Sequence, residues 1–132
     1  IRRRQRQMCI RDRFNIYGGN KNPTADGTCV RDYIHVNDIV NAHYLGMGKI
    51  SELKSNNIFN IGSGRGYSVM QVLKAVEIIA NKNIEYSFSD ERNNEPSFLV
   101  ADIFLIKEKL KWSTKYNSIE EIVKTAWNWH NK

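Results

Sequence analysis

Residues 23–38 read PTADGTCVRDYIHVND, and this stretch says the most about the fold. Its first half is rich in residues typical of turns. Residues 29–36 then mix apolar and charged side chains as a short strand does. Either Asn37 or Asp38 can cap a following helix, which we expect to run to about Ile50. The stretch therefore predicts a turn, a strand and a helix start in direct succession.

Segments with strand-forming composition lie on both sides of this stretch. Residues 14–17 precede it, residues 58–61 form a brief apolar run that leads into a glycine loop, and residues 84–88 are typical of another strand. The remaining segments have helical patterns and short polar joints. Strands and helices in such alternation predict an α/β fold.

Apolar residues at helical spacing predict three further helices. The first begins near Ser68, the second covers about residues 103–110, and the third covers about residues 119–128. A capping box consists of a serine and a Glu or Gln three residues later. Two of these helices start with one: Ser68 with Gln71, and Ser118 with Glu121. For the helix after Asp38 we expect the buried face to comprise Val40, His43, Tyr44 and Met47.

Composition excludes several classes of protein. The chain has 132 residues, 41% of them hydrophobic and 26% charged, which suits one globular domain or part of one. No apolar run approaches the roughly 18 residues that a membrane span requires. Cys9 and Cys29 lack metal-ligand spacing, so we expect no metal site, no disulfide framework and a cytoplasmic location.

The net charge of +6 belongs to one end of the chain. Residues 1–13 contain six arginines and one aspartate, and so carry five of the six positive charges. This string resembles translated adaptor or vector sequence, and we interpret it as a non-native or disordered basic tail, with a nucleic-acid-binding arm as the alternative. Because residues 14–132 are almost neutral, we expect no nucleic acid to bind the folded part.

Two motifs resemble cofactor or catalytic signatures but lack the required geometry. The glycines of residues 62–66 give G-x-G-x-G without the later glycine of a dinucleotide-binding loop, so we interpret them as a structural turn. Tyr17 and Lys21 match Y-x-x-x-K, a proton-transfer pair that must lie one helical turn apart. Two glycines and an asparagine between them disfavour a helix. We therefore assign no catalytic and no cofactor-binding residue to this chain.

Considered alone, Arg31-Asp32 is typical of a surface ion pair, and His35 of a hydrogen-bonded structural histidine. As a whole, however, residues 23–36 closely resemble the P-T-x-D-G-T-x-V-R-D-Y-I-H-V stretch of UDP-galactose/UDP-glucose 4-epimerases. The resemblance continues in order and covers about residues 14–132, through these segments: NIGSGRGYSV at 60–69, ERNNE at 91–95, LVAD at 99–102, LKW at 110–112 and WNW at 127–129.

This resemblance implies the carboxy-terminal substrate-binding region of an extended short-chain dehydrogenase/reductase, with the last strand and helix of its Rossmann domain. In that family an amino-terminal Rossmann domain holds NAD and a tyrosine–lysine site. The tyrosine takes the proton of the sugar 4-hydroxyl while NAD accepts the hydride from C4. The 4-keto sugar then rotates so that its opposite face meets the cofactor, while UDP stays fixed. The region that this chain resembles is the one that binds UDP.

The resemblance also implies which residues bind the nucleotide sugar. Arg31 and Arg92 match two arginines that contact the diphosphate, a ligand that suits paired guanidinium forks. Glu95 matches an aspartate that bonds the ribose hydroxyls, although Glu replaces Asp here and Asn94 replaces a glycine. Leu99 matches a residue that walls the sugar pocket, and its medium size leads to the hypothesis that an N-acetyl group fits there.

We therefore expect this chain to be part of an NAD-dependent UDP-glucose/UDP-galactose 4-epimerase and to be inactive by itself. We expect the parent enzyme to be a homodimer. The alternatives are another nucleotide-sugar epimerase or dehydratase of the same superfamily and, from a different class, a basic nucleic-acid-binding module. In the family, the helix near Asn37 and the strand near Ile58 pack into the missing domain, so apolar surface should be exposed here.

Deletion of residues 1–13 separates the last alternative from the others. We expect the deletion to abolish any binding of a fluorescent polynucleotide, measured by anisotropy at low salt, because it removes five of the six net positive charges. Retention of that binding by residues 14–132 would support the nucleic-acid-binding module instead.

Overall fold

A computed structural model describes residues 14–18, 22–53, 58–90 and 95–131 of the chain. Its strands are β1 (Phe14–Tyr17), β2 (Val30–Asp32), β3 (Gly66–Ser68), β4 (Tyr86–Ser89) and β5 (Phe98–Leu99). Its helices are α1 (Val36–Gly48), α2 (Val69–Ala80), α3 (Phe104–Leu110) and α4 (Ile119–His130). The α/β prediction is confirmed. None of the described helices is long and apolar enough to cross a bilayer.

The strands form two small sheets. In the first, β1 pairs in parallel with β4, with Phe14 opposite Tyr86. In the second, the order is β3-β2-β5, and the central strand β2 is antiparallel to β3 and parallel to β5. The short strand β5 is not predicted by the sequence. Its parallel register sets Arg31 opposite Leu99, so the two elements that carry predicted site residues are neighbours.

The helix starts follow local sequence signals, one of them completely. At the start of α2, the Ser68 hydroxyl accepts a hydrogen bond from the Gln71 amide, and the Gln71 side chain accepts one from the Ser68 amide. The predicted capping box is therefore confirmed. At the start of α4, Ser118 caps Glu121, but the Glu121 carboxylate accepts from the amide of Asn117, one residue before the predicted partner. The second box is thus only half formed.

The main core lies between α1, α3 and the segment that follows α3. Its buried side chains are Ala42, Ile103, Ile106, Leu110 and Trp112. The buried Trp112 indole also donates a hydrogen bond to the carbonyl of Asp38 at 3.1 Å. A buried indole N–H needs a partner, and this bond connects the start of α1 to the segment that follows α3. Elsewhere, α2 packs against α4.

The predicted buried face of α1 is wrong. Val40, Tyr44 and Met47 are 60%, 69% and 66% exposed, and His43 is also exposed. The residues of α1 that are buried are Asp38 and Ala42. Helical spacing shows that an apolar stripe exists, but only the neighbouring elements decide which side of the helix they cover.

The predicted strand at residues 58–61 is also wrong, since these residues lie outside regular structure. A strand is held by hydrogen bonds to a neighbour, and none of the described strands pairs with this segment. Ile58 is 84% exposed. Together with the exposed side of α1, this confirms the expectation of uncovered apolar surface near Asn37 and Ile58.

Gly62 is a position where a side chain cannot fit. A Cβ there would collide with the Asp32 carboxylate and lie 2.7 Å from the Ala101 Cβ. We expect Gly62→Ala to lower the free energy of unfolding by about 1–3 kcal/mol, as overpacking does. Chemical denaturation of the variant measures this loss.

Gly48→Ala is the matched control for that substitution. Gly48 is the last residue of α1, and nothing lies within 4 Å of the point that a Cβ would occupy there. We expect the same exchange at this position to raise stability by up to about 1 kcal/mol, because alanine favours the helix. Equal effects at the two positions would show that contact with Asp32 and Ala101 does not constrain Gly62.

Candidate functional site

A cleft runs beside the three-stranded sheet and holds two of the predicted site residues. Its volume is about 700 Å³. The cleft is lined by Arg31, Asp32, Phe59, Asn60, Ile61, Leu99, Val100, Ala101 and Asp102. Because side chains alternate along a strand, Arg31 and Asp32 project to opposite faces of β2. The two side chains therefore have different roles in the site.

Arg31 is held at both ends of its guanidinium group. Nη2 forms an ion pair with Oε1 of Glu95 at 3.0 Å, and Nη1 donates to the carbonyl of Val30 at 2.8 Å. The two side chains of the ion pair are 21% and 33% exposed, so solvent still reaches the site. The acidic partner of Arg31 is thus Glu95, 64 positions away, and the simple interpretation of Arg31-Asp32 as an ion pair is wrong.

Three of the four predicted site residues lie together. Glu95 contacts Arg31, and Leu99 lies opposite Arg31 across the strand pair. Leu99 is 58% exposed, which leaves its side chain accessible to a ligand in the cleft. Arg92, the fourth predicted residue, lies outside the described residues.

The Asp32 carboxylate fixes the wall of the cleft, which sequence reasoning missed. Its Oδ1 accepts from the amide and the hydroxyl of Ser63 at 2.7 and 2.6 Å. Its Oδ2 accepts from the amides of Gly64 and Ala101 at 3.1 and 3.2 Å. Hydrogen bonds to a charged acceptor contribute about 1.5–3 kcal/mol each. Asp32 therefore joins β2, the glycine loop and the segment after β5 at one point.

The glycine loop is a structural turn, as the sequence predicts. Gly64 has a φ of +71°, and a Cβ there would lie 2.9 Å from the Ile103 side chain. At Gly66 a Cβ would lie 2.5 Å from a Val30 methyl carbon and 2.9 Å from one of Val100. The space beside these glycines is filled by the protein's own side chains, and the amides of Ser63 and Gly64 already donate to Asp32.

Asp26 and Asp38 lie near the two ends of residues 23–38, and each forms hydrogen bonds that hold this stretch in place. Asp26 accepts hydrogen bonds from the amide and the hydroxyl of Thr28 and from the hydroxyl of Ser68 at the start of α2. Asp38 is 1% exposed and accepts from the amides of Lys115 and Tyr116 at 3.0 and 3.2 Å. The predicted capping role of Asp38 is wrong, because its carboxylate bonds a distant loop.

His35 caps helix α1 in place of the predicted Asn37 or Asp38. Its Nδ1 accepts from the amide of Asn37 at 3.0 Å, and its Nε2 lies 2.9 Å from the Thr125 hydroxyl. The imidazole also stacks on the Tyr116 ring with centroids 3.6 Å apart. The ring is 6% exposed, so the interpretation of His35 as a structural histidine is confirmed.

Tyr17 is not in the helical setting that the Y-x-x-x-K pair requires. Tyr17 lies in the extended strand β1, and Gly18 follows it with a φ of +86°, so no helical turn begins at Tyr17. Lys21 lies outside the described residues. Within the described ranges, no group of three or more His, Cys, Asp and Glu side chains can hold a metal ion.

Comparison with known proteins shows what the chain is similar to. The sequence model of the NAD dependent epimerase/dehydratase family matches residues 3–62, a span that begins within the arginine-rich segment. A UDP-glucose 4-epimerase of Halalkalibacterium halodurans is 37% identical over 122 residues, covering 92% of this chain and 36% of that protein.

Solved structures give the same result for the fold. A crystal structure of a UDP-glucose 4-epimerase matches with a TM-score of 0.86 and 37% identity, over 96% of this chain and 38% of the other. The UDP-glucose 4-epimerase of Bifidobacterium longum in complex with NAD+ and UDP matches with a TM-score of 0.78 and 31% identity, over 90% and 35%.

Over residues 3–62 the chain is similar to the NAD dependent epimerase/dehydratase family. Within that family it is similar to the UDP-glucose 4-epimerases, and it spans about a third of the length of the curated relatives that it matches. The fold class expected from the sequence is confirmed, and so is the resemblance to UDP-glucose 4-epimerases. The interpretation of residues 1–13 as non-native stays a prediction.

The hydrogen bonds of Asp26 make its contribution to stability depend on pH. Burial acts to raise the pKa of Asp26, but hydrogen bonds from Ser68 and Thr28 outweigh it and hold that pKa below its ordinary value of 3.8. The folded state therefore binds this proton less tightly than the unfolded state does. The stabilisation is present above pH 3.8 and is lost as the pH falls through the lower, folded-state pKa.

We expect Asp26→Asn to be less stable than the parent chain at pH 7, with a difference that shrinks steadily below pH 3.8. Thermal or urea unfolding from neutral pH down to well below that value measures this difference. Because other carboxylates titrate in both proteins, only the difference reports on Asp26. A difference that stays constant over this range would contradict the assigned hydrogen bonds.

Proposed function

We propose that this chain is the UDP-sugar-binding part of an NAD-dependent UDP-glucose 4-epimerase. Arg31 binds the diphosphate together with Arg92, Glu95 bonds the ribose hydroxyls, and Leu99 forms part of the wall of the sugar pocket. The observation that carries this proposal is that Arg31 and Leu99 line one cleft, while Glu95 forms an ion pair with Arg31.

The state of Arg31 supports a role in binding an anion. Arginine has five N–H donors in a planar fork, and here Val30 and Glu95 accept one hydrogen bond each. The remaining donors suit the oxygens of a diphosphate, which binds arginine through paired, charge-assisted hydrogen bonds. As an exposed ion pair, Arg31 and Glu95 would contribute little to stability. Glu95 is also three residues from Arg92, which favours a shared site for both arginines.

NAD would be held by another part of the enzyme. The family is described as NAD dependent, and relatives such as the Bifidobacterium longum enzyme bind NAD+. The glycine loop at residues 62–66 does not fit that cofactor, because protein side chains fill the space beside Gly64 and Gly66. In this proposal the chain binds and orients the nucleotide, and by itself it is inactive.

The exposed apolar surface of α1 and Ile58 fits the same proposal. Val40, Tyr44 and Met47 lie on one side of the helix and are each at least 60% exposed, and Ile58 is 84% exposed. Exposed apolar patches mark surfaces that contact another body of protein. We propose that the NAD-binding part of the enzyme covers this surface, and that the complete enzyme is a cytoplasmic homodimer.

In this proposal, Leu99 influences which sugar the pocket accepts. Its side chain is medium-sized and more than half exposed, which supports the hypothesis that the pocket also admits an N-acetyl sugar. The neighbouring candidate function is another nucleotide-sugar epimerase or dehydratase of the same superfamily. It would use Arg31 in the same way, so only the products of the complete enzyme distinguish the two.

Replacement of Arg31 tests the proposed grip on UDP. In the enzyme expressed from the complete reading frame, we expect Arg31→Met to weaken UDP binding by about tenfold to a hundredfold, the effect of losing one or two charge-assisted hydrogen bonds. Isothermal titration calorimetry with UDP measures this loss. The parent enzyme should convert UDP-galactose to UDP-glucose, and residues 14–132 alone should not.

Arg65→Met is the matched control because it removes the same charge. Arg65 is exposed in the glycine loop and donates to the carbonyl of Asn117 rather than facing Glu95. We expect this variant to bind UDP like the parent enzyme. Equal losses at Arg31 and Arg65 would point to a general effect of charge and would contradict a specific site at Arg31.

A further inference from the structure

The ion pair between Arg31 and Glu95 has a consequence for ligand choice. In the structure, Glu95 accepts a hydrogen bond from one of the Arg31 donors that a phosphate would use, at an Nη2 to Oε1 distance of 3.0 Å. Any anion that binds Arg31 must therefore approach a carboxylate. The two side chains of this pair are themselves partly exposed, so an incoming anion can reach them.

We propose that Glu95 is a specificity-determining residue that makes the Arg31 site reject small anions and accept a diphosphate carried by a ribose. This inference rests on the proposed function of the cleft. A carboxylate can accept about four hydrogen bonds, and Arg31 supplies one of those described here. A ligand that brings hydroxyl groups can donate to the remaining positions.

Small anions such as pyrophosphate have no ribose hydroxyl groups. Such an anion meets the negative charge of Glu95 and competes with it for Arg31, and it lacks the pair of hydroxyls that a ribose donates to the carboxylate. Like charges that approach in a partly buried site oppose binding, and this is a common way in which proteins reject a wrong ligand. Glu95 therefore raises the affinity for ligands that carry a ribose and lowers the affinity for small anions.

The longer side chain at this position is consistent with such a dual role. The family pattern has an aspartate where this chain has Glu95, and the extra methylene extends the reach of the carboxylate. In the structure that reach brings Oε1 to the guanidinium of Arg31, from the segment that leads into β5. One residue thus links the ribose and the diphosphate halves of the proposed site.

Glu95→Gln tests the inference, because it keeps the size of the side chain and removes its charge. The enzyme from the complete reading frame is titrated with three ligands: UDP, 2′,3′-dideoxy-UDP and inorganic pyrophosphate. We expect the variant to bind UDP about tenfold more weakly, because a charge-assisted bond to the ribose is lost. We expect it to bind pyrophosphate and the dideoxy nucleotide about threefold to tenfold more tightly, because the repulsion is removed.

Two further variants separate the possible failures. Glu108→Gln removes an exposed carboxylate from α3, outside the cleft lining, and should leave all three affinities unchanged. Arg31→Met should weaken all three ligands. If Arg31→Met has no effect, or the parent enzyme does not bind UDP, the proposed function itself fails. If Arg31→Met weakens binding but Glu95→Gln changes all three affinities in the same direction or not at all, only the role of Glu95 is overturned.

Discussion

The Asp32 carboxylate accepts four hydrogen bonds from two distant segments, and the wall of the cleft depends on them. Ser63 and Gly64 hold the glycine loop against one side of β2, and Ala101 holds the segment after β5. Without an acceptor at this point, three backbone N–H groups would lose their partner, which is costly where water cannot replace it. Gly62 has no side chain because the Asp32 carboxylate occupies the space that a Cβ would fill.

The same device recurs along residues 23–38. Asp26 bonds the hydroxyl that caps α2, and Asp38 bonds two amides of the loop before α4. The aspartates of this stretch therefore connect it to the glycine loop, to α2 and to the α3–α4 connection. A stretch that is tied at several points holds its other residues in place, and Arg31 is one of them. Binding sites benefit from such rigid support, because less freedom is lost when the ligand arrives.

The sequence correctly indicated elements whose signals are local. The capping box at Ser68 and Gln71 fixes the start of α2 through bonds between residues three apart, so no distant partner is needed. The turn character of the glycine loop is equally local, because it follows from the missing glycine of the dinucleotide signature. By contrast, residues 58–61 have the composition of a strand but no strand beside them in the described chain. Strand formation depends on a neighbour, which composition does not reveal.

Sequence patterns alone determined the α/β class, and the resemblance to 4-epimerases pointed to Arg31, Glu95 and Leu99, which lie together in the structure. Only the tertiary structure decided that Arg31 pairs with Glu95, that Asp32 accepts hydrogen bonds from the backbone of two distant segments, and that the described residues cover Ala42 of α1 and leave Val40 exposed. The physical reason is sequence separation. Contacts between residues 31 and 64 positions apart carry no mark in either residue, and they exist only once the chain between them has folded.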